Sequence, residues 1–375
     1  GGPWIARALV SPAEKTMPTN VTPEYKKAKE AFKRARDPQE RLACLKEMLR
    51  LVPKHKGTDH LQAEIKTRIK QLTDELAGPK KGGARTGPVH TIQPDGAAQV
   101  ALIGPPNSGK SSLHDRLTGS HAEVGPYPHT TNAPLPGMFN FDDVQFQLVD
   151  LPPISTTFME AWMPNALQLA HAALLVVDLT IPGCVENVAA IRDRLGEKRI
   201  SLIEQWRGVF NPGLLDIEGA GKAAAAGPEL ATFEGEEEID RTFRVQIPTL
   251  LVANKGDLDW ERDEINVLEE LIDARYPAVA VSTKTGAGLE KIGPLLFQGL
   301  GIVRVYTKIP GKKVDTGRPY TLFRGDTVQD VAHLVHRELA QTLRFARIWG
   351  GAKFDGQQVG KDYVVRDGDV IELHG

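Results

Sequence analysis

Cysteine is nearly absent: the 375-residue chain has two, Cys44 and Cys184. They fall in separate predicted regions, which argues against a disulfide framework and makes a reducing cytosol the expected setting. No apolar run reaches the length needed to cross a bilayer, and no signal-peptide pattern is legible, so no membrane partner is expected. Metal-ligand spacing is missing among the histidines; His114, His121 and His129 read as surface or packing residues. Internal repeats are lacking too. Net charge is small, −2, but it is unevenly spread. Residues 21–81 hold 16 basic side chains against 9 acidic, and residues 302–375 hold 12 against 9, so the middle is strongly acidic. Basic flanks around an acidic centre point to an anionic partner for the flanks, although charged helices also need solvated faces. At 41% apolar and 25% charged, the remainder is ordinary globular protein, long enough for two or three domains.

What is present is organised around Gln99 to Leu113, QVALIGPPNSGKSSL. Val100 to Ile103 fits a buried strand. Gly104 to Ser111 then matches G-x-x-x-x-G-K-[ST], and a helix is expected to follow. Glycine lets such a loop curl so that successive N–H groups converge on phosphate oxygens, with the positive end of the helix behind them. In this reading Gly104, Asn107, Ser108 and Gly109 form the cradle. Lys110 reaches the β- and γ-phosphates, the Ser111 hydroxyl binds Mg²⁺, and Ser112 touches the α-phosphate.

Residues 1–20 show no clear pattern and read as an extension, with Met17 as a natural start. Residues 21–80 read as a helical region: a helix from Pro23 to Arg36, a second begun by Asp37-Pro38, and a third from Thr58 or Asp59 with Leu61, Ile65, Ile69, Leu72 and Leu76 on one face. A Gly/Pro-rich linker spans 81–96. From 97 to 300, strands alternate with helical stretches, which predicts an α/β domain with a mostly parallel sheet covered on both faces. A Gly/Ala/Glu-rich stretch near 208–238 reads as a surface insertion. From 302 to 375, two strands, a helix capped at Thr327 by Asp330, and further strands predict a small α+β module.

Four segments follow the phosphate loop in the order a GTPase needs. Asp150 ends a strand and can hold Mg²⁺ through water. Thr131, in the loop before, offers a second hydroxyl ligand that closes over the γ-phosphate. Asn254-Lys255-Gly256-Asp257 matches N-K-x-D: the Asp257 carboxylate accepts from guanine N1 and N2, and the Lys255 stem lies along the base. Ser282-Thr283-Lys284 ends the last strand, where a backbone N–H meets guanine O6.

The set GPPNSGKS, YPHTT, DLPP, NKGD and STK resembles the Obg and DRG (developmentally regulated GTP-binding) families of the TRAFAC class. The C-terminal stretch, with YTK at Tyr306, IWGG, and VGKDYVVRDGDVIEL from Val359, resembles a TGS domain, a ubiquitin-like β-grasp module. The resemblance covers roughly residues 98–375. It implies slow hydrolysis of GTP to GDP, with Lys110, Thr131 and Asn107 as the catalytic positions, Ser111 and Thr131 as Mg²⁺ ligands, and Asn107 supporting K⁺-assisted hydrolysis. It also implies a ribosome or structured RNA as partner rather than DNA, with a protein activator in reserve. A GTP-regulated RNA- or ribosome-binding adaptor with negligible hydrolysis is the alternative. The chain departs from the family in two places. The usual glycine of Asp-x-x-Gly is Pro153, which has no N–H for the γ-phosphate, and His129 stands where phenylalanine is usual. Ile154 occupies the position of the water-orienting glutamine of Ras-like enzymes. Another loop amide, such as that of Ile154, can compensate for the missing glycine N–H.

Overall fold

The computed structural model describes residues 22–35, 38–52, 59–76, 92–119, 133–216, 244–258, 263–309, 311, 314, 317–351 and 354–375. The chain divides into two compact units, residues 1–85 with 230–244, and residues 86–229 with 245–375. The expected extension, most of the linker and Thr131 lie outside the described residues.

Among the described residues, the first unit holds three helices: α1 (Pro23–Arg34), α2 (Pro38–Leu51) and α3 (Asp59–Leu76). Thr22 caps α1, its hydroxyl oxygen accepting the Tyr25 N–H at 3.2 Å, and Pro23 takes the first helical position, where no N–H is needed. Helix α1 stops at Arg34, two residues short of the expected end, because Ala35 turns extended. Tyr25, Phe32, Leu45, Met48, Val52, Leu61 and Ile65 form the core, so the periodic stripes are packing faces. Lys26 and Lys27 are exposed on α1.

The second unit begins with a sheet built from β1 (Ala98–Ile103), β2 (Leu135–Phe141), β3 (Val144–Asp150), β4 (Ala172–Asp178), β5 (Ile200–Ile203), β6 (Val245–Asn254) and β7 (Ala278–Ala280). The order is β2-β3-β1-β4-β6, with β5 and β7 both pairing β6; only β2 runs antiparallel. Alternate residues of each central strand serve opposite faces. Ala101, Ile103, Leu175, Val177, Leu251 and Ala253 meet α5 (Met163–Leu169), α6 (Cys184–Glu197) and α7 (Asp263–Ile272). Val100, Leu102, Leu174, Val176, Leu250 and Val252 meet α4 (Lys110–Thr118) and α8 (Ile292–Leu300). All the loops with chemistry leave the carboxyl ends of β1, β3, β4, β6 and β7, where ligands of open α/β sheets bind.

One expected boundary is wrong. The segment from 208 is not insertion at its start: Phe210 and Leu215 are buried beside Trp206, and Gly208 lies so close to the Gln298 carbonyl that a Cβ would sit 1.7 Å from its oxygen. Asp216 is likewise buried, accepting the Ala280 N–H at 2.9 Å and pairing with Lys291 at 3.0 Å. Residues 217–243 lie outside the described residues.

A second sheet follows after Gly301, in the order β11-β10-β12-β8-β9: β8 (Ile302–Thr307), β9 (Tyr320–Phe323), β10 (Phe345–Trp349), β11 (Gln357–Val359) and β12 (Asp369–His374), with α9 (Val328–Val335) and α10 (Arg337–Thr342). Strand β8 runs parallel to β12, and the other pairings of this sheet are antiparallel. Asp330 caps α9 as expected, its carboxylate accepting the Thr327 N–H at 2.7 Å. Ala346 and Ile348 carry β10 into the core, so Trp349 lies half-buried on the other face with the Lys308 ammonium 4.3 Å from its ring. The two sheets are fastened at the β2–β3 turn. Arg304 grips Asp367 through Nε and Nη2, reaches Asp143 with Nη1 at 3.0 Å and covers the Phe297 ring, while Tyr306 donates its hydroxyl to Asp143 at 2.5 Å.

Candidate functional site

Strand β1 delivers Gly104 at φ +154°, and a Cβ there would strike the Val176 carbonyl, so only glycine fits. Asn107 and Gly109 adopt the left-handed region at φ +61° and +89°, curling the loop into the start of α4. Ser108 is buried and its hydroxyl donates to the Pro105 carbonyl at 3.0 Å. Lys110, 6% exposed, folds back over the loop and donates to the carbonyls of Gly104 and Pro105 at 3.1 and 3.0 Å. Burial pushes its ammonium down to about 8, with Asp150 opposing. Ser112 is exposed, and so is the side chain of Asn107.

Ser111 donates its hydroxyl to Asp150 Oδ2 at 2.6 Å. Asp150 Oδ1 is buried without a hydrogen-bond partner, and burial raises its carboxyl above the usual range. A hydroxyl and an orphaned buried carboxylate oxygen form a hard-oxygen donor set that fits Mg²⁺. Thr131, the expected second ligand, lies outside the described residues. Beyond Asp150, the Ile154 N–H donates to the Gly104 carbonyl at 3.2 Å, and the Ile154 side chain is fully buried. That amide is committed to the loop, so it does not stand in for the N–H that Pro153 lacks. His114 is buried too, beneath Gly137.

The base end is built on β6. Asn254 is buried and bridges two loops: its Nδ2 donates to the Ser108 carbonyl at 3.0 Å, and its Oδ1 accepts the Thr283 N–H at 3.2 Å. Arg116 of α4 adds a second bridge, donating to the carbonyls of Thr283 and Lys284 at 2.9 Å each. Asp257 accepts the Ser282 hydroxyl at 2.7 Å and pairs with Lys284 at 3.3 Å; the Ser282 hydrogen bond, above all, holds its carboxyl below the usual range. Lys255 sits at φ +62° with its ammonium 2.5 Å from Asp178 Oδ2. The structure thus gathers every described residue of the expected site along one edge of the sheet. Two participants had no signal in the motifs: Asp178, a lone acid at a strand end, and Arg116, one basic residue on a polar helix.

Residues 99–205 match the family described as 50S ribosome-binding GTPase, and residues 303–374 match the TGS domain. An uncharacterized GTP-binding protein of Methanocaldococcus jannaschii is 27% identical over 362 residues, covering 89% of this chain and 92% of its own. Developmentally-regulated G-protein 1 of Arabidopsis thaliana is 26% identical over 377 residues, covering 89% and 90%. Among solved structures, a GTP-binding protein from Pyrococcus horikoshii aligns over 74% of this chain and 99% of its own, at 15% identity and a TM-score of 0.48. The chain carries a P-loop GTPase domain followed by a TGS domain, and over 89% of its length it is similar to a protein named developmentally-regulated G-protein.

Proposed function

We propose that this protein hydrolyses GTP slowly to GDP and phosphate and that its nucleotide state governs binding to a ribosome or structured RNA. The observation that supports it best is the pairing of a phosphate loop and an N-K-x-D loop held together through Asn254. Lys110 and the amides at the start of α4 would stabilise charge on the transferring phosphoryl group. Ser111 and Asp150, with Thr131, would hold Mg²⁺, which when bound neutralises charge across the β- and γ-phosphates. Asn107 would support K⁺ beside them. A cytoplasmic setting follows from this role, and among the described residues no helix is long and apolar enough to cross a membrane. The basic helices of residues 21–80 and the mildly basic module of residues 302–375 would carry RNA backbone contacts, with Lys26, Lys27, Lys29, Lys33 and Arg34 as candidates.

The second reading is a GTP-regulated RNA- or ribosome-binding adaptor with negligible hydrolysis. It is favoured by Ile154, buried where a water-orienting side chain would stand. Single-turnover GTP hydrolysis with and without ribosomes separates the two. Measurable cleavage, accelerated by ribosomes, supports the GTPase; cleavage at the uncatalysed rate in both supports the adaptor. Co-sedimentation with ribosomes under GDP and under a non-hydrolysable GTP analogue tests the shared part, and equal co-sedimentation under both would refute nucleotide control.

A further inference from the structure

Asp178 closes β4, and the sheet register pairs it with Asn254, so Lys255 emerges one step past the strand end beside it. The Asp178 side chain is 1% exposed. Its Oδ1 accepts from the Thr180 N–H at 3.0 Å and the Thr180 hydroxyl at 2.6 Å, which fixes the rotamer. Its Oδ2 faces the Lys255 ammonium at 2.5 Å. Burial pushes the carboxyl up, but the Lys255 and Thr180 contacts outweigh it and leave the group below the usual range. Lys255 meanwhile holds a left-handed backbone, which a residue with a side chain keeps only when its surroundings over-determine it. A lysine with a free tip loses rotamer freedom when a ligand settles on its stem; one already tethered does not.

We propose that Asp178 is a positioning residue for guanine nucleotides: it tethers the Lys255 ammonium so that the aliphatic stem stands ready as one wall of the base site, next to Asp257. This rests on the guanine-nucleotide reading of the site. Asp178 itself touches neither base nor phosphate; it acts through Lys255. The alternative, an ion pair that merely stiffens the β4 and β6 ends, predicts a different pattern of losses.

The test uses the full chain and two probes, GDP and inorganic pyrophosphate, by calorimetric titration. Pyrophosphate engages the phosphate loop but has no base. Asp178→Asn should weaken GDP about tenfold and leave pyrophosphate affinity unchanged, and in combination with Lys255→Met it should add nothing to the loss from Lys255→Met alone. Thr180→Val keeps both charges and removes only the hydroxyl that fixes the carboxylate; it should weaken GDP about threefold, and it carries the test if Asp178→Asn does not fold. GDP affinity within twofold of the unmodified protein in both single variants would overturn the proposal. So would losses that add in the double variant, or GDP and pyrophosphate affinities that fall together. Failure of the unmodified protein to bind GDP would overturn the nucleotide reading itself.

Discussion

The buried Lys110 ammonium makes nucleotide affinity depend on pH in a calculable way. In the free protein, burial brings its pKa down from 10.5 to about 8. Arriving phosphates supply negative charge and acceptors, which return the group to its ordinary value or above. Below pH 8 the lysine is protonated with or without ligand, so affinity is level. Above pH 8 the free protein has lost the proton and binding must take one up, so affinity falls, approaching tenfold per pH unit until the pKa of the complex is reached. From pH 7.5 to 9 the expected loss is about eightfold, or about 1.2 kcal/mol. Calorimetric titration with GDP in buffers of different ionisation enthalpy reads both the affinity and the protons taken up. Lys110→Arg stays charged throughout, so its profile reports every other titrating group, the base included. Parallel profiles for the unmodified protein and Lys110→Arg would refute the reasoning. The same shift acts on the ligand-free fold. A lysine whose folded value is lowered penalises folding below pH 8, and the penalty is relieved as pH rises toward 10.5, so thermal stability from this group should climb across that window.

Other outcomes follow from the same geometry. Asp257→Asn should weaken GDP about tenfold or more and favour xanthosine diphosphate, measured by competition; equal affinity of the unmodified protein for ATP and GTP would contradict the base assignment. If Asn107 supports K⁺, GTP turnover should be faster in KCl than in NaCl at equal ionic strength, and Asn107→Ala should erase the difference; identical rates in both salts would count against it. In thermal unfolding, Asp143→Ala and Arg304→Ala should be coupled by about 0.5–3 kcal/mol, and additive losses would show that the fastening between the sheets contributes nothing. Burial raises both carboxyls, but the Tyr306 and Arg304 contacts leave Asp143 lowered and the Arg304 contacts leave Asp367 lowered. Their stabilisation should therefore be present at neutral pH and lost below about pH 4, which acid unfolding of Arg304→Ala against the unmodified protein would display.

The nucleotide loops were legible in sequence because their backbones demand particular residues at fixed spacings. Gly104 and Gly109 must be glycine for space and for positive φ, and Asn254 must be an amide to donate to one loop and accept from another. The sheet was legible because short continuous apolar runs, buried on both faces, alternate with helical stretches. Where tertiary placement alone decides, the sequence was silent. Asp178 meets Lys255 because β4 and β6 pair in one register, and Arg304 finds Asp143 across 161 positions. The onset of the Gly/Ala/Glu composition misplaced the insertion boundary, since Phe210 and Leu215 are sparse anchors inside a polar stretch. The committed amide of Ile154 could not be seen either: its acceptor is a carbonyl 50 positions away.

The two bridges between the phosphate and base loops make the site a caliper. Asn254 ties the jaws from the strand side and Arg116 ties them from α4. The gap between diphosphate and purine is therefore gauged by the protein before any nucleotide arrives, and a ligand whose base and phosphates stand at another distance has to break a buried amide bridge to be measured at all. Adjustment is left to Lys110, which must release the Gly104 and Pro105 carbonyls before it can take hold of a phosphate.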